Sequence, residues 1–138
     1  MTRARAAVLR APGRSVELVD VVIDDPGPRD VVVRMLASGV CHTDLLVHEG
    51  KFGGRLPLVA GHEGAGVVAS VGRDVTRVRP GDRVVLTWRA PCGACRMCER
   101  GHAPRCLNPA VSSAQVRERG VPLERTLGLG TLATHVVV

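Results

Sequence analysis

The sequence predicts a mainly β fold of short strands and tight turns, and three observations predict it. Valine recurs in short runs (VVID, VVVR, GVVA, RVVL, HVVV), a side chain suited to a pleated, half-buried surface. Sixteen glycines and nine prolines interrupt those runs too often for long helices. Only two aromatic residues occur, Phe52 and Trp88, so the core has to be aliphatic. A chain of 138 residues is long enough to close one such core, and residues 1–138 read as one domain.

In order along the chain, Arg5 to Leu9 and Val16 to Val22 read as strands joined by the turn APGRS. DDPGPRD at 24–30 is a turn dense in Pro, Gly and Asp. VVVRMLASG follows as a strand apolar enough to be buried. The pattern then changes at VCHTDLLVHEG, where Thr43 or Asp44 is placed to cap a short helix ending at Gly50, its apolar side carrying Leu45 and Leu46. KFGGRLPLVA is a loop. GHEGAGVVASVG sets a His-Glu pair between glycines and continues as a small-residue strand. Pro80, Gly81 and Asp82 form a turn feeding the strand RVVL. Residues 107–126 show no period and read as a surface loop, and LGLGTLATHVVV closes the sequence as a strand.

A net charge of +6 invites a nucleic-acid reading. Its basic residues are nearly all arginines spread along the chain, and no aromatic platform interleaves with them for base stacking, so no nucleic-acid partner is expected. No apolar stretch approaches the ~20 residues that cross a bilayer, and MTRARAAVLR runs into a strand without an apolar leader core. A cytoplasmic location without membrane contact is the expectation.

Four of the five cysteines, Cys92, Cys95, Cys98 and Cys106, fall in PCGACRMCERGHAPRC with the spacing C-x2-C-x2-C-x7-C. Steps of this length let thiolates curl round one ion while backbone N–H groups point at the sulfurs. Four sulfurs complete a tetrahedral shell with no position for water, which makes a structural zinc site. Disulfides would suit a secreted chain, and a ferredoxin run has shorter gaps and a proline after its last cysteine, absent after Cys106. Arg96, Arg100 and Arg105 lie among the ligands to offset two surplus negative charges.

The fifth cysteine, Cys41, stands among the polar residues His42, Thr43 and Asp44. Alone it reads as a small core residue, and His62 alone as a turn residue. Together they are a usual zinc pair with Glu63 adjacent, but a catalytic zinc takes three protein ligands and an open position. From the residues alone the reading stops at an incomplete second metal site.

At these residues the chain resembles the zinc-containing alcohol dehydrogenases of the medium-chain family. GHEGAGVVASVGRDV at 61–75 matches their zinc signature at Gly61, His62, Glu63, Gly66, Gly72 and Val75, and GVCHTD at 39–44 and the cysteine lobe follow the same order and spacing. The resemblance covers essentially the whole chain. It implies a GroES-like catalytic domain: a distorted, mostly antiparallel β-barrel with short helices and a projecting zinc lobe at about 90–107.

The resemblance also implies roles. Cys41 and His62 are similar to two of three catalytic zinc ligands, and Glu63 to the acid that approaches the metal as water or product exchanges. Asp44 resembles the carboxylate that fixes the histidine tautomer. Thr43 resembles the hydroxyl that takes the alcohol's proton, and His42 a cation at the cofactor pyrophosphate. Trp88 is placed like a wall of the substrate pocket, with a plain core aromatic as its other reading. The implied activity interconverts an alcohol and an aldehyde or ketone, with zinc and NAD or NADP as cofactors. TWRAP before the lobe leans towards aromatic or thiol-adduct alcohols.

Two features depart from the family pattern. The Rossmann nucleotide-binding domain and the third zinc ligand, a cysteine, are missing from these residues, and LGLGTL lacks the third glycine of a nucleotide loop. The expectation is therefore a catalytic-domain portion, inactive alone, with a non-enzymatic zinc-stapled module as the alternative. A zinc-free reductase relative would not need both sets of ligands. Leu46 stands where many members relay protons through histidine. His48, His102 and His135 read as surface residues. Members are often dimers or tetramers, which makes a homo-oligomer the expected assembly.

Overall fold

A computed structural model describes all 138 residues. Nine strands form two sheets. Strands β1 (Thr2–Leu9), β2 (Glu17–Ile23), β4 (Leu58–Val59), β7 (Val116–Glu118) and β8 (Val121–Arg125) close a barrel in the order β1-β2-β7-β8-β4. Strands β3 (Val31–Ser38), β5 (Gly64–Val71), β6 (Arg83–Leu86) and β9 (His135–Val137) make an antiparallel sheet in the order β6-β5-β3-β9. Two short helices, α1 (His42–His48) and α2 (Arg96–Glu99), complete the set.

The period-2 pattern explains the barrel wall. In β1, Ala4, Ala6 and Val8 face inward while Arg3 and Arg5 stay exposed. Their inner neighbours are Val21, Ile23, Val59, Val116 and Leu123, an aliphatic core without an aromatic ring. Val32 and Val137 enter the same core and couple the two sheets. Hydrogen bonds finish the seam: Ala7 N–H donates to Leu132 O at 2.8 Å, and Thr134 N–H to Arg5 O at 2.8 Å.

Several expectations are corrected. Residues 107–126 are not a surface loop, because β7 and β8 form a hairpin that closes the barrel, burying Ala114, Val116 and Leu123. Its turn, Arg119-Gly120, has φ of 48° and 84°, the two left-handed residues of a tight hairpin turn. Pro122 is tolerated in β8 because β4 pairs in parallel with Glu124 and Arg125, beyond it. KFGGRLPLVA is likewise not all loop, since Leu58 and Val59 form β4.

The third strand is buried only at Val32 and Val33, and Leu36 emerges on the surface past the barrel core. At the chain end only His135–Val137 is strand. Leu127, Gly128 and Gly130 take positive φ, which breaks the extended run before it.

Candidate metal centres

Helix α1 is built around its ligand. Its N-cap is Cys41, not Thr43 or Asp44: the thiol sulfur accepts from Thr43 N–H at 3.3 Å. Asp44, in the first turn, accepts from Cys41 N–H through Oδ2 at 2.9 Å. The helix rests on the barrel through buried Val47, packed with Leu9 and Leu58, and Leu45 is exposed instead of apolar-side packed.

His62 arrives from the other side, just before β5, and is buried at 6% exposure. Its Nε2 lies 3.3 Å from Cys41 Sγ, and its Nδ1 faces Asp44 Oδ1 at 3.4 Å. That second contact is within ion-pair range but misses hydrogen-bond alignment, so both atoms are buried without a partner. Asp44 thus touches both donors, one oxygen on the Cys41 backbone and the other beside the imidazole. Sequence reasoning assigned it only the second contact.

Two residues that the sequence reading missed hold the histidine segment. Thr131, fully buried, lies 3.0 Å from Ser38 Oγ, which donates to Glu63 O at 2.9 Å. Gly39 N–H donates to the same carbonyl at 3.0 Å, and Thr131 N–H to Gly61 O at 3.0 Å. Gly61 has φ of +90°, and a β-carbon there would lie 2.6 Å from Thr131 Oγ1 and 2.7 Å from Leu132 N. Only glycine fits, which gives the first signature glycine a physical reason. A β-carbon at Gly72 would collide with the carbonyls of Gly27 and Pro28.

The other candidates are spread around this pair. His42 is exposed, Thr43 half-buried, and Glu63 exposed with its carboxylate over Gly39. Trp88 is 52% exposed and is not a core aromatic. It lines a cleft of about 770 Å³ with Val84, Leu86, Pro91, Val111 and Leu129, whose wall includes neither Cys41 nor His62. The structure therefore does not gather Trp88 into one cavity with the two ligands. His102 is exposed as expected. His48 is half-buried at the surface, where its Nε2 donates to Arg14 O at 3.0 Å. His135 is half-buried on β9, and burial lowers its pKa, with Arg34 adding to the effect.

The second centre is local. Cys95 caps α2, Cys98 lies within it, a single 3-10 turn at Ala103–Arg105 follows, and Cys106 is fully buried beneath. Ala110 N–H donates to Ala90 O at 3.0 Å and ties the neck of the lobe. The four sulfurs lie within 4.8 Å of one another, with Cys95 Sγ 3.5 Å from Cys98 Sγ and 3.9 Å from Cys106 Sγ. Tetrahedral zinc with bonds of ~2.3 Å sets sulfurs ~3.8 Å apart, so this cluster fits the ion.

Backbone N–H groups point at the sulfurs, Cys92 N–H at Cys106 Sγ (3.3 Å) and Leu107 N–H at Cys95 Sγ (3.5 Å). The Leu107 N–H, then that of Cys98, holds the Cys95 thiol down to about 6. Burial pushes Cys98 up to about 11, and the Cys92 N–H lowers Cys106. Arg96, Arg100 and Arg105 are exposed at the surface of the lobe.

A β-barrel carrying a four-cysteine cluster and a separate Cys41–Asp44–His62 group offers two places that could hold a metal ion. Comparison places it further. Residues 27–138 match the family model described as the alcohol dehydrogenase GroES-like domain, and the chain belongs to that family. It is 45% identical to a provisionally named alcohol dehydrogenase D of Mycobacterium tuberculosis, over 99% of this chain and 39% of that protein. S-(hydroxymethyl)glutathione dehydrogenase of Escherichia coli is 37% identical over 99% of this chain and 40% of its own length.

Among solved structures, an alcohol dehydrogenase zinc-binding domain protein from Burkholderia ambifaria aligns with a TM-score of 0.89 at 36% identity, covering 99% of this chain and 40% of that one. Benzyl alcohol dehydrogenase of Acinetobacter calcoaceticus gives 0.80 at 30%, covering 99% and 39%. The chain thus spans about 40% of the length of the proteins it matches. The GroES-like β-rich fold expected from the sequence is the fold found, and no helix is long and apolar enough to cross a membrane.

Proposed function

We propose that these residues are the metal-bearing catalytic portion of a zinc-dependent alcohol dehydrogenase, interconverting an alcohol and its aldehyde or ketone. The observation that carries this reading is Cys41 Sγ at 3.3 Å from His62 Nε2, with Asp44 at the other ring nitrogen. A zinc ion bonded to sulfur at ~2.3 Å and nitrogen at ~2.05 Å would set those atoms ~3.5 Å apart. When bound, zinc supplies a Lewis acid for the alcohol oxygen and a nicotinamide nucleotide accepts the hydride.

In this reading the chain's own side chains hold and move protons. Asp44 keeps a proton on His62 Nδ1, which leaves the Nε2 lone pair facing Cys41. The Thr43 hydroxyl takes the alcohol's proton and passes it outward. His42 meets the cofactor pyrophosphate, and Glu63 assists exchange of water and product. The third ligand and the nucleotide-binding surface come from outside these residues, because a catalytic zinc takes three protein ligands and no doubly wound sheet occurs among the elements here. By their names, one similar protein acts on benzyl alcohol and another on S-(hydroxymethyl)glutathione, so aromatic alcohols and thiol adducts are the first substrates to try.

Zinc per purified chain, by elemental analysis before and after mild chelation, tests the reading. Two equivalents are expected, one labile and lost in Cys41→Ser. A single equivalent indifferent to Cys41→Ser would remove the reactive centre from these residues. The 138 residues alone are expected to show no nicotinamide-dependent turnover, and measurable turnover would refute the need for an outside ligand.

A further inference from the structure

We propose that Arg89 is a positioning residue of the zinc lobe, latching its closing ligand and supplying its counter-charge. The inference rests on reading the lobe as a zinc site. Three ligands, Cys92, Cys95 and Cys98, come from one tight run, and the fourth, Cys106, returns after seven intervening residues. Something has to hold that return in register. Cys106 is fixed at every polar atom: its N–H donates to Ala103 O at 3.0 Å, its sulfur accepts from Cys92 N–H at 3.3 Å, and its carbonyl accepts from Arg89 Nη2 at 2.7 Å. Two of these three grips come from the neck segment 89–92, so the neck sets where the fourth sulfur sits.

The charge points the same way. Trp88, Ala90 and Pro91 line the cleft on one side of the neck, and Arg89 does not. Its Nε is buried and meets no acceptor, and none of the molecule's ion pairs involves Arg89. Arg89 is half-buried with its Nε enclosed, and a guanidinium held that way without a carboxylate is costly unless a negative field balances it. Four thiolates around a dication carry a net charge of about −2. Arg96, Arg100 and Arg105, the arginines that sequence adjacency suggested for this task, are exposed and screened by water. Arg89, half-buried and bonded to the Cys106 carbonyl, is the arginine held against the lobe.

The experiment follows the rate at which zinc leaves the lobe to excess chelator after the labile equivalent has been removed. Wild type, Arg89→Gln, Arg89→Lys and Arg96→Gln are compared, with urea midpoints measured with and without zinc. Partners that orient metal ligands typically change metal affinity ~10–100-fold. Arg89→Gln is expected to lose zinc at least about tenfold faster, Arg96→Gln within about twofold of wild type, and Arg89→Lys between them. The metal-free midpoint of Arg89→Gln should stay close to wild type.

Equal rates for wild type and Arg89→Gln would overturn the proposal, as would equal rates for the two Gln variants. A metal-free midpoint lowered as much as the zinc-loaded one would make Arg89 an ordinary scaffold residue. Arg89→Lys as fast as Arg89→Gln would overturn the counter-charge half. A wild-type lobe that takes up no zinc would instead sink the zinc reading itself.

Discussion

The two candidate metal centres are made in opposite ways. The lobe draws four thiols from one stretch, Cys92 to Cys106, and its geometry depends on turns, backbone N–H groups and one neck. The proposed reactive centre joins Cys41, at the start of a helix, to His62, which precedes a strand, and Ser38 and Thr131 bond the segment around His62 where the two sheets pack. A local cluster closes its own shell. A centre assembled over a distance keeps a side open, and it inherits the rigidity of the fold around it.

The largest expected effect comes from breaking the local centre. Cys106→Ser removes a fully buried ligand, and the lobe should lose its zinc and roughly 3–4 kcal/mol of stabilisation, about a quarter of what structural zinc gives small finger domains. Zinc content and urea unfolding read this out. If that variant also emptied the Cys41–His62 centre, the two would not be independent.

His62→Gln is the converse. It should abolish the labile equivalent and the d–d bands of a cobalt-substituted reactive centre, with the lobe's zinc retained. Next in size is Thr131→Val, which keeps the volume and removes the hydroxyl beside Ser38. It should cost about 1–2 kcal/mol in urea unfolding and loosen cobalt at the reactive centre without changing zinc loss from the lobe.

The smallest effect belongs to neither centre. Glu118 binds Arg10 through two hydrogen bonds of 2.7 and 2.9 Å, and that pairing lowers its pKa. Its contribution is complete above the ordinary glutamate range and vanishes as pH falls through the lowered value. Glu118→Gln should cost about 1 kcal/mol at pH 7 and nothing in strong acid, with both metal centres untouched.

What was legible in the sequence follows the same division. The four-cysteine cluster could be read because its thiols are neighbours in the chain. The reactive centre could be read only as a pair, since Cys41 and His62 carry no spacing rule that joins them. Ser38 and Thr131 gave no signal, because a serine ending one strand and a threonine near another meet only after the sheets pack. Arg89 gave no signal beside Arg96, Arg100 and Arg105, because closeness to the cysteines in sequence does not tell which arginine is half-buried against the Cys106 carbonyl. The β7–β8 hairpin hid in VRERGVPLER, four charged residues and a proline in strands too short for a period, and Arg119-Gly120 was its one clue.

The seam between Arg5–Ala7 and Leu132–Thr134 has a consequence for biosynthesis. Strand β1 can pair with β2 and β4 early, but its bonds from Arg5 and Ala7 wait for residues 132–134, and β4 gains its second neighbour only with β8. A nascent chain can assemble the β3–β5–β6 hairpins and the cysteine lobe early, but not the barrel. Until then its aliphatic wall is exposed in the emerging chain, so slowing translation before residue 134 lengthens the interval in which it can aggregate.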